Sequence, residues 1–200
     1  MPKERLKSPR ARLFVALDLP DDVREGLVAW GAEALADPGL RPVAPRSLHI
    51  TLAFLGYLPV KEIKSLGEIV SEVAGPAPEI QLHDPVPRPV RGRPRLFALP
   101  AESPRAEALQ AALQGRLVQA RLYKPEKRPF WPHVTVARVR REKRGSSRPA
   151  QIEDPPSPLP KRLLQPFVGV RVTLYRSQLQ PQGAQYTPLA QVELSERGQQ

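Results

Sequence analysis

The sequence predicts an α+β fold in which strands and helices alternate along the chain. Strand-like runs of apolar and β-branched residues occur at 12–17, 47–55, 95–99, 133–139 and 167–176. Stretches with apolar residues every three or four positions occur between them, at about 21–36, 60–74 and 104–122. No glycine-rich phosphate loop follows a strand. This order therefore favours a mixed or antiparallel sheet over a doubly wound parallel one.

Caps and helix breakers delimit the first elements. Asp21, directly after a proline, is the predicted N-cap of the first helix, and Asp37-Pro38-Gly39 marks its end. Residues 40–46 form an extended connection, because their prolines disfavour the helical region. The strand at 47–55 closes at a glycine, and the apolar stripe of residues 60–74 predicts the second helix.

The second half begins with a short predicted strand at 79–82 and a loop at 85–94 that is dense in proline and arginine. Ser103 followed by proline indicates the N-cap of the third helix. Residues 140–165 are first basic and then acidic and proline-rich, so we interpret them as a surface excursion. Alternating apolar residues predict the closing strands at 167–176 and 186–194.

Length and composition indicate a single domain at 11–194, between a flexible basic N-terminus at 1–10 and a flexible tail at 195–200. The net charge of +11 favours polyanionic partners, with nucleic acid the commonest, although a GC-rich genome also produces such a composition. No apolar run reaches the roughly 18 residues of a membrane helix. Cysteine is absent, so disulfides and thiolate metal sites are excluded. We expect a cytoplasmic monomer.

Two of the three histidines lie in the same local pattern, His-aliphatic-Thr-aliphatic, at His49 to Leu52 and at His133 to Val136. Side chains alternate along a strand, so each histidine shares a face with its threonine. If the two strands face each other, one cleft contains two imidazoles and two hydroxyls, which suffices for acid–base chemistry on a phosphate. His83 lacks such a threonine, and we interpret it as structural or exposed.

These stretches resemble the two-histidine (2H) phosphoesterase superfamily, and within it the RNA 2′,3′-cyclic phosphodiesterases, often called 2′-5′ RNA ligases. The resemblance rests on the stretches Arg12–Pro20, Leu48–Gly56, Arg93–Phe97, Pro132–Arg138 and Gly183–Tyr186. It covers nearly the whole domain. It implies a bilobal fold with two antiparallel sheets facing a central cleft and helices outside, each sheet contributing one His-x-Thr-x motif.

The implied reaction opens a 2′,3′-cyclic phosphate on an RNA end or a nucleotide to a 2′-phosphomonoester. It requires no metal and no cofactor, and some relatives also join or cleave 2′-5′ linkages. Such a reaction needs one base and one acid on opposite sides of phosphorus, and histidine suits both roles. We expect His49 to be the general acid and His133 the general base, the reverse assignment remaining open.

Three further residues complete the predicted site. Thr51 and Thr135 donate hydrogen bonds to the non-bridging phosphate oxygens, which gain charge in the transition state. The resemblance implies that Arg138 also contacts the phosphate. Arg138 follows His133 by an odd offset, so strict alternation places it on the opposite face. Its assignment therefore requires a twist, a bulge or the strand end near Ala137.

Two other functions remain open from the sequence. One is a phosphodiesterase that acts on another 2′-5′-linked or cyclic nucleotide. The other is a non-catalytic RNA-binding module, which the positive charge supports equally well. Two matched imidazoles favour an enzyme, since arginine or lysine would hold phosphate better at neutral pH.

Overall fold

The structure, a computed structural model, describes residues 9–180 and 183–195. The first half of the chain runs through β1 (Arg10–Asp18), α1 (Asp21–Ala34), β2 (Leu40–Pro42), β3 (His49–Pro59), α2 (Ile63–Val73), β4 (Glu79–Leu82) and β5 (Val86–Arg88). The second half runs through β6 (Leu96–Glu102), α3 (Pro104–Gln119), β7 (His133–Val139), β8 (Phe167–Val168), β9 (Arg171–Gln180) and β10 (Gly183–Glu193).

The strands pair in the order β10-β9-β1-β3-β7-β6-β4-β8, with β2 beside β7 and β5 beside β6. The halves of this sheet meet at β3 and β7, which pair antiparallel through Ile50 and Val134. The α+β fold with antiparallel strands is therefore confirmed, and the two predicted sheets are joined edge to edge at that residue pair into one continuous sheet. The two His-x-Thr-x strands are direct neighbours across this junction.

The apolar faces of these elements form a continuous core. Ile50 and Leu52 on β3, and Val134 and Val136 on β7, are buried, as alternation predicts. The helices pack on the far sides of the sheets, α2 against β9 and β10 and α3 against β3 and β4. The cleft at the junction of the sheets is lined by strands and loops, and no described residue of α1, α2 or α3 reaches it.

Some local predictions were wrong. The predicted connection at 40–46 contains β2, and the predicted loop at 85–94 contains β5, because both strands are too short to show a period and are defined by their partners. Asp21 is the first helical residue rather than the N-cap, and its carboxylate pairs with Arg24. In contrast, Ser103 caps α3 as predicted, accepting a hydrogen bond from the N–H of Ala106 at 3.1 Å.

The excursion at 140–165 is tied to the body of the protein rather than wholly exposed. Its Leu159 and Leu163 are buried. The Asp37 carboxylate accepts hydrogen bonds from the backbone N–H groups of Glu153 and Asp154 at 2.9 and 3.0 Å, and these bonds hold the pKa of Asp37 below its ordinary value. The predicted flexible ends at 1–10 and 195–200 lie mostly outside the described residues.

Candidate active site

A β-bulge follows the threonine in each motif strand. Between β6 and β7 the register shifts so that Val136 has no partner between the pairs of Thr135 and Ala137. Val136 and Ala137 are consequently both buried, and the next residue, Arg138, returns to the face of His133. The bulge is the irregularity that the assignment of Arg138 required.

A β-bulge at the corresponding position occurs in β3. The register with β1 shifts at Leu52, and Leu52 and Ala53 are both buried. Phe54 therefore occupies in β3 the position that Arg138 occupies in β7. The two motif strands are alike through the bulge and differ at the residue that follows it.

The structure brings all five predicted site residues to one cleft of about 250 Å³. They come from the two adjacent strands: His49, Thr51, His133, Thr135 and Arg138. Arg41, Arg46 and Tyr186 also line it, and sequence reasoning did not select them as site residues. Tyr186 lies in a stretch that carries the family resemblance, whereas the two arginines lie in and beyond the unpredicted strand β2 and carried no recognisable signal.

His133 is held in one orientation and one tautomer. Its Nδ1 lies 2.7 Å from the carbonyl oxygen of Trp131. A carbonyl can only accept, so Nδ1 donates the hydrogen bond and Nε2 of the neutral ring has a free lone pair. The ring stacks on Trp131, with centroids 4.1 Å apart and planes at 16°. Burial lowers the pKa of His133, the Trp131 carbonyl opposes this, and the charge of Arg88 lowers the pKa further.

His49 lies in an aromatic environment. Its ring stacks on Phe14 at 5.1 Å and Tyr175 at 6.1 Å, and meets the edge of Tyr186 at 5.6 Å. Its Nδ1 is buried and has no hydrogen-bond partner among the described residues. A buried lone pair costs less than a buried unpaired N–H, so this environment favours the tautomer with its proton on Nε2. Burial, together with the nearby His133, lowers the pKa of His49 to about 4.

A buried carboxylate orients one wall of this aromatic environment. Asp18 accepts hydrogen bonds from the hydroxyls of Thr173 and Tyr175 at 2.8 and 3.0 Å and from Nε of Arg171 at 3.0 Å. Burial and the adjacent carboxylate raise the pKa of Tyr175 to about 12. No local pattern indicated these partners of Asp18, because they come from a strand more than 150 residues away.

The remaining titratable groups offer little for a metal centre. In the parts of the chain that the structure describes, no group of three or more His, Cys, Asp or Glu side chains is arranged to hold a metal ion. His83 does not line the cleft; it is exposed, and its Nε2 lies 3.4 Å from a carboxylate oxygen of Glu102. Within the same described ranges, no helix is long and apolar enough to cross a membrane.

A model of the 2′-5′ RNA ligase superfamily matches residues 19–177. The chain belongs to the 2′-5′ RNA ligase superfamily. Among curated members, the RNA 2′,3′-cyclic phosphodiesterase of Thermus thermophilus is 33% identical over 191 residues, which are 92% of this chain and 90% of that relative. The Escherichia coli protein of the same name is 33% identical over 132 residues, 64% of this chain and 71% of the relative.

Solved structures of this superfamily have the same fold. A crystal structure from T. thermophilus is similar with a TM-score of 0.76 at 29% identity, over 94% of this chain and 100% of that one. E. coli LigT in complex with 3′-AMP is similar with a TM-score of 0.73 at 28% identity, again over 94% of this chain and 100% of that one.

Proposed function

We propose that this protein hydrolyses the 2′,3′-cyclic phosphate of an RNA end or a nucleotide to a 2′-phosphomonoester, with His49 as general acid and His133 as general base. The observation that carries the proposal is that two imidazoles, two hydroxyls and an arginine line one cleft. The relatives named RNA 2′,3′-cyclic phosphodiesterase support the reaction. The LigT complex with 3′-AMP supports a nucleotide ligand.

His133 acts as the base because its Nδ1 is occupied by the Trp131 carbonyl, so the unprotonated Nε2 can accept a proton. Its Nε2 lone pair removes a proton from the attacking water. The imidazolium that results is stabilised by the hydrogen bond from Nδ1 to the Trp131 carbonyl. The lowered pKa of His133 keeps it unprotonated near neutral pH before the substrate binds.

His49 acts as the acid through Nε2, because its other ring nitrogen, Nδ1, is buried, whereas the side chain lines the cleft. In the complex, the protonated His49 ring donates its Nε2 proton to the ribose 3′ oxygen as the P–O3′ bond breaks, which leaves the phosphate on the 2′ oxygen and His49 as the neutral ring. In the free protein His49 is uncharged at pH 7, since its pKa is about 4. The anionic phosphate raises that pKa when the substrate binds, because a nearby negative charge stabilises the imidazolium.

The three other residues stabilise charge on the phosphate. The Thr51 and Thr135 hydroxyls donate hydrogen bonds to the non-bridging oxygens as their charge grows. The guanidinium of Arg138, exposed at the cleft, supplies a fixed positive charge and forked donors to the same group. The two histidines supply both proton transfers, so this mechanism assigns no role to a metal ion.

The experiment is to incubate the protein, in EDTA, with 2′,3′-cyclic AMP and with a short RNA that ends in a 2′,3′-cyclic phosphate. We expect a 2′-phosphate product from both substrates. A 3′-phosphate product would reverse the polarity of the mechanism. Turnover of 2′-5′-linked oligonucleotides alone would favour the other phosphodiesterase function, and RNA binding without turnover would favour a binding module.

Monomeric state and cytoplasmic location stay predictions, which gel filtration and cell fractionation test.

A further inference from the structure

A second guanidinium lies beside the motif strand that lacks an arginine. Phe54 follows the bulge of β3 as Arg138 follows the bulge of β7. Phe54 is 40% exposed, unusually high for a large apolar side chain. The guanidinium carbon of Arg12, from the adjacent strand β1, lies 4.6 Å from the centre of the Phe54 ring. Each motif strand is thus accompanied by one arginine, although only β7 carries its own.

Arg12 is positioned but not neutralised by its neighbours. Its Nη1 donates a hydrogen bond to the Ser177 hydroxyl at 3.2 Å, and the Phe54 ring supports its planar face. No carboxylate among the described residues forms an ion pair with it. Its remaining N–H groups are available to an external acceptor.

Arg12 opens onto a cavity that continues the catalytic cleft. This cavity, of about 410 Å³, shares His49, Thr51 and Arg138 with the cleft. Its described lining contains three arginines, Arg12, Arg41 and Arg138, and no acidic side chain. A mononucleotide has one phosphate for Arg138 and the histidines to bind. A cluster of guanidiniums extending away from that phosphate matches a ligand with a second one.

We propose that Arg12, supported by Phe54 and Ser177, binds the phosphodiester next to the reacting phosphate, so that the site prefers a polynucleotide end over a mononucleotide. The inference rests on the proposed function and names its substrate class. Arg12 is a specificity residue: it contacts a phosphate that does not react, and its effect falls on substrates of two or more nucleotides.

The test compares 2′,3′-cyclic AMP with the dinucleotide ApA that ends in a 2′,3′-cyclic phosphate. For Arg12→Gln we expect kcat/KM to fall about 10-fold or more on the dinucleotide and less than about 2-fold on the mononucleotide. The salt dependence of dinucleotide kcat/KM should weaken by about 0.7 in log–log slope, the value for one single-strand phosphate contact. Arg12→Lys keeps the charge but loses the planar fork that Phe54 supports, so it should retain only part of the preference. Arg24→Gln, a matched charge change on α1, should leave kcat/KM on both substrates unchanged.

Equal losses on both substrates, or no loss on either, would overturn the proposal. If Arg12→Gln is unfolded by thermal melting, Phe54→Leu removes the support for Arg12 without a charge change, and it should lower the dinucleotide preference alone. If the wild type turns over neither substrate, the proposed function fails. The role of Arg12 can then be tested separately by comparing the Kd of 3′-phosphorylated ApA with the Kd of 3′-AMP. The proposal requires the wild type to bind the dinucleotide more tightly than 3′-AMP and requires Arg12→Gln to lose this difference.

Discussion

Trp131 supports His133 both through its ring and through its backbone carbonyl. The indole stacks on the imidazole at 4.1 Å, and the carbonyl accepts the Nδ1–H at 2.7 Å. The guanidinium of Arg88 lies over the indole, 3.8 Å from its centre. The proposed base is therefore fixed by a residue two positions earlier in the chain and is exposed to a positive charge from β5. The other imidazole, His49, is held by aromatic rings and has no such carbonyl among the described residues.

The charge of Arg88 should be measurable at His133. Arg88⁺ disfavours the imidazolium, so Arg88→Gln should raise the pKa of His133 toward its ordinary value of about 6.5. An NMR titration of the His133 ring measures this directly. Arg91→Gln, an exposed neighbour, is the control and should leave that pKa where it is. A His133 pKa that stays constant or falls in Arg88→Gln would contradict the role given to Arg88.

The rate should depend on pH differently for the free protein and the complex. Both histidines have pKa values below about 6.5 in the free protein, so kcat/KM should decline above that pH. The bound anionic phosphate raises the pKa of the acid, so the decline of kcat should begin at a higher pH. Steady-state rates from about pH 4.5 to pH 9 separate the two profiles. Coincident declines of kcat and kcat/KM would show that the substrate does not change these pKa values.

His49 should also make folding sensitive to acid. Its folded pKa of about 4 is depressed below the unfolded value of about 6.5, so the unfolded chain binds the extra proton between these values. The wild type should therefore be most stable above about pH 6.5 and lose up to about 3 kcal/mol as the pH falls toward 4. Urea unfolding measures this, and His49→Gln should lose less stability over the same range. An identical pH dependence in the two proteins would contradict the burial of an uncharged His49.

The threonine hydroxyls should affect the rate more than stability. Thr51→Val and Thr135→Val keep the β-branched shape and remove one donor each, so kcat should fall about 100-fold for each variant. Thr187→Val, at an exposed position on β10, is the matched control and should keep wild-type kcat. Wild-type kcat in Thr51→Val and Thr135→Val would contradict this role and show that the two threonines have only a structural role in their strands.

Much of the site was predictable from the sequence because the same His-x-Thr-x motif occurs twice. The period of two predicts that His49 and His133 each share a face with a threonine, and the structure brings these residues together. Strict alternation failed for Arg138, because a bulge depends on the register with the neighbouring strand and leaves no local signal. The partners of Asp18 and the stack of Arg88 on Trp131 were also hidden, because they arise between strands that are distant in the chain.

The measurement that tests the central claim most directly is kcat/KM on a 2′,3′-cyclic nucleotide, in EDTA, for His49→Ala, His133→Ala and the double variant. If the two histidines act as one acid–base pair, each single change should lower kcat/KM by about 10²- to 10⁴-fold. The double variant should then be scarcely worse than either single one, because groups that act as a unit are non-additive. Near-wild-type turnover in either single variant, in protein shown to be folded, would contradict the two-histidine mechanism.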